Sequence, residues 1–139
     1  MQQIGMKYKQ RIVVKVGTNV LTTTNGKLDL EVLGNLVDQI AALQKQGYQM
    51  LLVSSGAVGA GKSVFSFKDT GDKIASRQVY SSIGQILLIH EYFQRFRDHH
   101  IFCSQVLVTK EDFRGKTHYA NMSHCIDNLL SQGVVPVIN

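Results

Sequence analysis

Apolar residues along this chain follow two spacings, and the switches between them mark out its elements. Short apolar runs occupy residues 11–16 (Arg-Ile-Val-Val-Lys-Val), 49–54, 102–109 and 134–138; their length and their glycine or polar boundaries predict four strands. Between the strands, apolar positions recur every three or four residues. Leu33, Leu36, Val37, Ile40 and Leu43 fall on one helical face, with Asp29 placed to cap the start and Gly47 to end it. Residues 73–98 give the longest helical pattern. It is apolar nearly all round between Ile83 and Phe96, which predicts a buried middle, and Gly84 inside it predicts close backbone packing at that turn. A further helix is marked by Tyr119, Met122, Ile126, Leu129 and Leu130 and stopped by Gly133. The remaining stretches read as a turn at Gly17-Thr18-Asn19, an exposed loop or hairpin tip at residues 22–27 around Asn25-Gly26, an aperiodic loop at residues 64–71 and a charged loop at residues 110–116.

Strands that alternate with helices imply an α/β fold: a mainly parallel sheet with right-handed crossovers and helices on both faces. Ligands of such sheets bind beyond the carboxyl ends of the strands. Four polar strand ends therefore belong to one expected site: Lys15-Val16-Gly17-Thr18, Ser54-Ser55-Gly56-Ala57, Thr109 and Asn139. The sequence contains no internal repeat, low-complexity tract or interdomain linker.

Composition narrows the picture. At 139 residues one domain is expected, burying roughly 68% of the chain's surface without staples. No apolar run approaches the roughly 20 residues of a membrane span, and the first ten residues are polar and lack a secretory apolar region. A cytoplasmic protein is expected. Cys103 and Cys125 lack metal or redox spacing and read as buried reduced thiols. The five histidines form no ligand set, so no metal site is assigned. The net charge of +5 comes from singly scattered Lys and Arg, which favours small anionic ligands over a nucleic-acid track.

One stretch carries two readings. Gly56 to Ser63 fits the phosphate-loop pattern G-x-x-x-x-G-K-S, which would make the chain a nucleotide hydrolase with Lys62 on the phosphates. Such a site also needs an Asp at the end of another apolar strand to hold the metal. Neither candidate strand ends in Asp, since residues 102–109 lead into Thr109-Lys110 and residues 134–138 into Asn139. The first strand, moreover, already ends in its own Lys-x-Gly-Thr turn.

Lys15-Val16-Gly17-Thr18-Asn19-Val20-Leu21 and Val53-Ser54-Ser55-Gly56-Ala57-Val58-Gly59-Ala60-Gly61 closely resemble the first two site loops of the amino acid kinase family, most of all its glutamate 5-kinase branch. Further matches are Ile74-Ala75-Ser76-Arg77-Gln78 with Gly84-Gln85, then Gln105 to Thr109, and last Asn128-Leu129-Leu130 through Val134 to Asn139. The resemblance implies transfer of the ATP γ-phosphoryl group to the side-chain carboxylate of L-glutamate, the first step of proline synthesis, with Mg2+ as cofactor. It implies Lys15 as the catalytic lysine and Gly17 and Thr18 on the phosphate side. It implies Ser55, Gly56, Ala57 and Asn139 around glutamate, and Lys110, Glu111 and Asp112 in a segment linked to feedback inhibition by L-proline.

The family's sheet has about eight strands, so residues 11–139 are expected to form the acceptor-binding half, cut after about the fourth strand, behind a tail at residues 1–10. The nucleotide-binding half is expected to be absent and the isolated chain incomplete for catalysis. A cut sheet exposes a pairing edge and apolar faces, which predicts self-association as a homo-oligomer. No nucleic-acid or membrane partner is expected. The alternatives at this point are a non-catalytic binding or assembly module of the same fold, and the phosphate-loop hydrolase.

Overall fold

In the computed structural model, which describes residues 8–68 and 71–139, four strands form one parallel sheet. They are β1 (Arg11–Val16), β2 (Gln49–Ser54), β3 (Cys103–Val106) and β4 (Val135–Ile138), ordered β1-β2-β4-β3. β1 pairs with β2 along its whole length, from Arg11 opposite Gln49 to Val16 opposite Ser54. Ser55 N–H continues that ladder by donating to the Val16 carbonyl at 3.0 Å, so the two strand ends lie side by side.

The helices are α1 (Thr18–Leu21), α2 (Leu30–Lys45), α3 (Ala57–Val64), α4 (Lys73–Asp98), α5 (Lys110–Arg114) and α6 (Lys116–Ser131). Asp29 caps α2 as expected, accepting from the Glu31 and Val32 N–H groups at 3.1 Å each, and Asp72 does the same for α4. One sheet face meets α2 and α4. Leu33, Val37 and Ile40 of α2, Leu88, Tyr92 and Phe96 of α4, and Met50 and Leu52 of β2 form its core. Strand alternation puts Ile12, Val14 and Val16 of β1 on that side and Arg11, Val13 and Lys15 on the other. There the Arg11–Asp127 ion pair, at 3.0 Å, locates α6 on the second face.

The expected α/β architecture is what forms, with several local corrections. The turn at Gly17 passes directly into the short helix α1. α4 has the expected bounds, but its middle is buried on one stripe only, at Gly84, Leu88, Tyr92 and Phe96, while Ile86 on the opposite side is 73% exposed. The third strand is shorter than residues 102–109, because only Cys103–Val106 register with Val135–Ile138. Residues 110–116 are not a loop: Thr109 and Asp112 build a capping box that starts α5, and α6 follows at Lys116. Both cysteines are free, but Cys125 is exposed and only Cys103 is half-buried, with its thiol pushed up to about 11 by burial. The loop at residues 22–27 closes on itself through a Thr22–Leu28 bridge. Of the expected tail, residues 1–7 lie outside the described residues, and Lys9 N–H donates to the Gly47 carbonyl at 2.9 Å. Of the expected loop at residues 64–71, Val64 ends α3 and residues 69–70 lie outside the described residues.

Candidate functional site

Helices α1, α3 and α4 and the ends of β2 and β4 border a cleft of about 390 Å³ lined by Thr18, Ser55, Gly56, Ala57, Val58, Lys62, Arg77 and Asn139. A larger hollow, of about 570 Å³, lies at the other end of the molecule, around Gln44, His99 and Gln132, away from the carboxyl ends of the strands.

The floor of the cleft is the junction of β2 and α3. Gly56 sits there at φ +112°, a conformation that side chains rarely adopt, and it turns the chain from strand into helix within one residue. Just before it, Ser54 is buried, and its single hydroxyl proton goes to the Ser55 carbonyl at 2.9 Å. Tyr92 OH, 2.7 Å from Ser54 Oγ, is therefore the donor in that pair. Burial pushes the Tyr92 hydroxyl up to about 12, so it stays a neutral donor at physiological pH. The Ser55 carbonyl is thus tied into the core. Because every described peptide bond is trans, the Gly56 N–H points the opposite way from that carbonyl.

The small residues of α3 set the wall. A Cβ on Gly84 of α4 would run into the Ala57 carbonyl oxygen and the Gly61 nitrogen, and a Cβ on Gly61 would meet the Tyr80 carbonyl. Backbone lies against backbone here, so the position of α4 relative to the cleft is fixed by the absence of side chains. Gly59 performs the same service for the loop at residues 22–28: its carbonyl and Ser63 Oγ both accept from Leu28 N–H, at 3.2 and 3.0 Å.

This geometry decides the phosphate-loop question. Residues 57–64 are helical, so Lys62 and Ser63 lie in the body of α3 rather than at the mouth of an anion-binding loop. Ser63 Oγ donates to the Gly59 carbonyl one turn back at 2.9 Å, and Lys62 Nζ sits 5.9 Å from the centre of the Tyr80 ring. From Ala60 onward the backbone N–H groups are used within the helix, which leaves free only those of its first turn, well before Lys62 and Ser63. The G-K-S match is a by-product of close helix packing.

The structure brings Thr18, Ser55, Gly56, Ala57 and Asn139 to one cleft, as expected. It leaves Lys15 and Gly17 outside the lining, although Lys15 pairs with Val53 two residues before Ser55, and a Cβ on Gly17 would meet nothing within 4 Å. Asn139 carries on the sheet, accepting from Val108 N–H and donating to the Val106 carbonyl, and its side-chain amide meets Gln85. Thr109 is drawn away into the capping box. Lys110, Glu111 and Asp112 form the first turn of α5, outside the lining of the cleft. Their nearest link to it is the Val108–Asn139 backbone contact. Asp112 accepts from the Thr109 N–H at 2.6 Å and from its hydroxyl at 2.9 Å, and these two bonds, the first the stronger, hold its carboxyl below the usual range.

Sequence reasoning did not single out Arg77 and Val58 as lining residues, and it placed Lys62 only in the phosphate-loop reading. The four-residue spacing of Val58 and Lys62, one helical turn, was a usable signal for a shared face. Arg77 had none, because its approach depends on how closely α4 crosses α3.

The Amino acid kinase family model matches residues 10–139. Over 130 residues the chain is 50% identical to a protein of Chlorobaculum tepidum named glutamate 5-kinase, covering 94% of this chain and 36% of that protein. Proteins of the same name from Thermoanaerobacter sp. and Bacteroides thetaiotaomicron are 48% and 45% identical, each over 93% of this chain and 35% and 36% of their own lengths. The chain therefore spans about a third of the length of the curated relatives it matches.

Proposed function

The chain belongs to the amino acid kinase family, and on that premise we propose that it provides the acceptor-binding part of an ATP-dependent kinase acting on the side-chain carboxylate of L-glutamate. The observation that carries this reading is the cleft at the β2–α3 junction, where Ser55, the Gly56 turn and two cationic side chains face one space with no acidic residue in its lining. Anions are what such a lining attracts.

The chemistry suits the residues. A glutamate side chain, with a free pKa of about 4.3, is already ionised at neutral pH and needs no general base. The barrier lies in bringing one anion up to another, so fixed N–H donors and positive charge are the useful catalysts. In the proposal Ser55 Oγ and the backbone of Gly56 and Ala57 hold the acceptor, Asn139 borders it, and Lys15 at the adjoining strand end offsets charge between acceptor and phosphates. Gly17 and Thr18 let the backbone come close on the phosphate side, and the open space beside Gly17 supports that role. ATP, when bound, supplies the phosphoryl group. Mg2+ is the expected companion of ATP, but the described residues hold no group of three or more His, Cys, Asp or Glu that fits a metal. That misfit, with the one-third coverage of the relatives, supports assigning nucleotide and metal binding mainly to the part of such enzymes that this chain does not match.

Proline synthesis as the pathway, a cytoplasmic location, L-proline as inhibitor near Lys110–Asp112 and a homo-oligomeric state belong to the same proposal. Exposed Ile86, Phe102 and Phe113 support association. Monomer alone by light scattering at micromolar concentration would remove that part of it.

The test of the activity is acyl phosphate formation from glutamate and ATP, trapped with hydroxylamine. It is run with this chain alone and with this chain joined to the unmatched portion of the Chlorobaculum tepidum relative. The joined protein is expected to be active, and Lys15→Ala in it to lose on the order of 100-fold, the scale of removing one charge-stabilising group. ATP hydrolysis without glutamate, or no glutamate-dependent product from the joined protein, would overturn the reading.

A further inference from the structure

The two cationic side chains of the cleft, whose charge the reading above uses, are given no ligand group by it. Lys62 lies in the last turn of α3 and Arg77 one turn into α4, and both line the same space as Ser55 and Gly56. The only interaction of the Lys62 ammonium among the described residues is the Tyr80 ring, and Arg77 has no hydrogen bond, ion pair or ring contact with any of them. Tyr80 stands three positions after Arg77 on α4, which brings the two cations to one helix face. Tyr80 is itself held, its hydroxyl accepting from Phe67 N–H at 3.1 Å and its ring set edge-on to Phe67. The lining has two positive charges and no acid to neutralise them.

Unpaired neighbouring cations repel each other, and an arrangement that keeps them together is relieved by an anion between them. An α-amino dicarboxylate brings two carboxylates to the cleft, of which only one is phosphorylated. The reacting one must face Thr18 and the β1 end. The other is left for the cationic side chains of the same lining, Lys62 and Arg77. We propose that Lys62 and Arg77 together bind the carboxylate that is not phosphorylated, and so select a dicarboxylic amino acid over analogues lacking that group. Arg77 supplies a planar two-pronged donor and Lys62 a point charge steadied over Tyr80. The proposal rests on the kinase reading above and names what that reading leaves open, the source of acceptor specificity.

Calorimetric or NMR titration of the full chain tests it, using L-glutamate, 4-aminobutyrate (which lacks the α-carboxylate), glutarate (which keeps both carboxylates) and ATP as separate probes. Wild-type chain is expected to bind glutamate and glutarate at least about tenfold more tightly than 4-aminobutyrate. In Lys62→Met and Arg77→Gln that preference is expected to shrink towards onefold, mainly through weaker glutamate binding, with ATP binding unchanged and Lys62→Arg restoring much of the loss. Both positions are exposed, and far-ultraviolet dichroism checks that the variants fold. If wild type binds glutamate but both variants keep the full preference, the pair is not the carboxylate site and the kinase reading survives. Loss of ATP binding instead would make the ligand of the pair a nucleotide phosphate and overturn the proposal. Wild type that binds none of the dicarboxylates would sink the acceptor reading together with it.

Discussion

The α3–α4 side of the molecule and the β3–α5–α6 side are built in opposite ways. On the first, Ala57 and Gly61 of α3 lie against Tyr80 and Gly84 of α4, backbone touching backbone, and Leu88, Tyr92 and Phe96 continue the buried stripe of α4 into the core. On the second, α5 buries no residue, α6 buries only Leu130, and Phe102, Phe113 and Tyr119 are more than half exposed. Both sides carry comparable apolar content, so the difference lies in what covers it. The candidate cleft belongs to the tightly packed side. Its walls are set by steric exclusion, which leaves little freedom for Ser55 and Gly56 to move, whereas the other side holds side chains whose loss costs this chain little.

The sharpest way to break the comparison is to delete one phenylalanine on each side. Phe96→Ala removes a fully buried ring from the core and is expected to cost about 3–5 kcal/mol in urea unfolding. Phe113→Ala, on α5, is expected to stay within about 0.5 kcal/mol. Equal losses would mean that the apparent asymmetry of packing does not exist in solution. Gly84→Ala comes next and sets two effects against each other. Helix propensity alone predicts a gain of about 1 kcal/mol. The added methyl group, however, meets the Ala57 carbonyl and the Gly61 nitrogen, which are backbone and cannot swing aside. Overpacking costs about 1–3 kcal/mol and more where neighbours cannot relax, so a net loss of about 2 kcal/mol is expected, together with weaker glutamate binding as α3 shifts. A stabilised variant would show that α3 and α4 are not in contact at that turn.

The same contrast explains how much could be read in advance. β1, β2 and α4 have the bounds that the apolar runs imply, and Asp29 caps α2 as its position suggested, because these signals are local. β3 is short because a strand needs a registered partner, and β4 offers only Val135–Ile138. The expectation of a buried middle for α4 treated every apolar position as core, when only the stripe facing α2 and α3 is covered. α5 was hidden by its charges, although Thr109 followed three residues later by Asp112 is a helix-start signal in its own right. Within the cleft, Ser55 to Ala57 were legible from the strand end. Arg77 was not, because two glycines far apart in sequence, Gly61 and Gly84, decide how closely its helix approaches.

The smallest expected effect concerns that capping box and probes the loose side alone. Asp112 holds α5 by accepting two bonds from Thr109, and in the folded chain its carboxyl titrates below its unfolded value. A depressed carboxyl contributes its stabilisation above the unfolded pKa and loses it as the pH falls through the folded one. His118 adds a weaker attraction of the same sign while it is protonated. Acidification through the carboxylate range should therefore release Thr109 and fray α5, seen as lost amide protection at residues 110–114, before the α3–α4 side responds. Asp112→Asn at neutral pH should reproduce the fraying without acid, since an amide accepts more weakly and carries no charge to set at a helix start. The β2–α3 junction is held by the neutral Tyr92–Ser54 pair, whose tyrosine titrates only near 12, so it should keep its protection over the same range. Simultaneous loss of protection on both sides would mean that the two regions unfold as one unit and that their different packing does not make them independent.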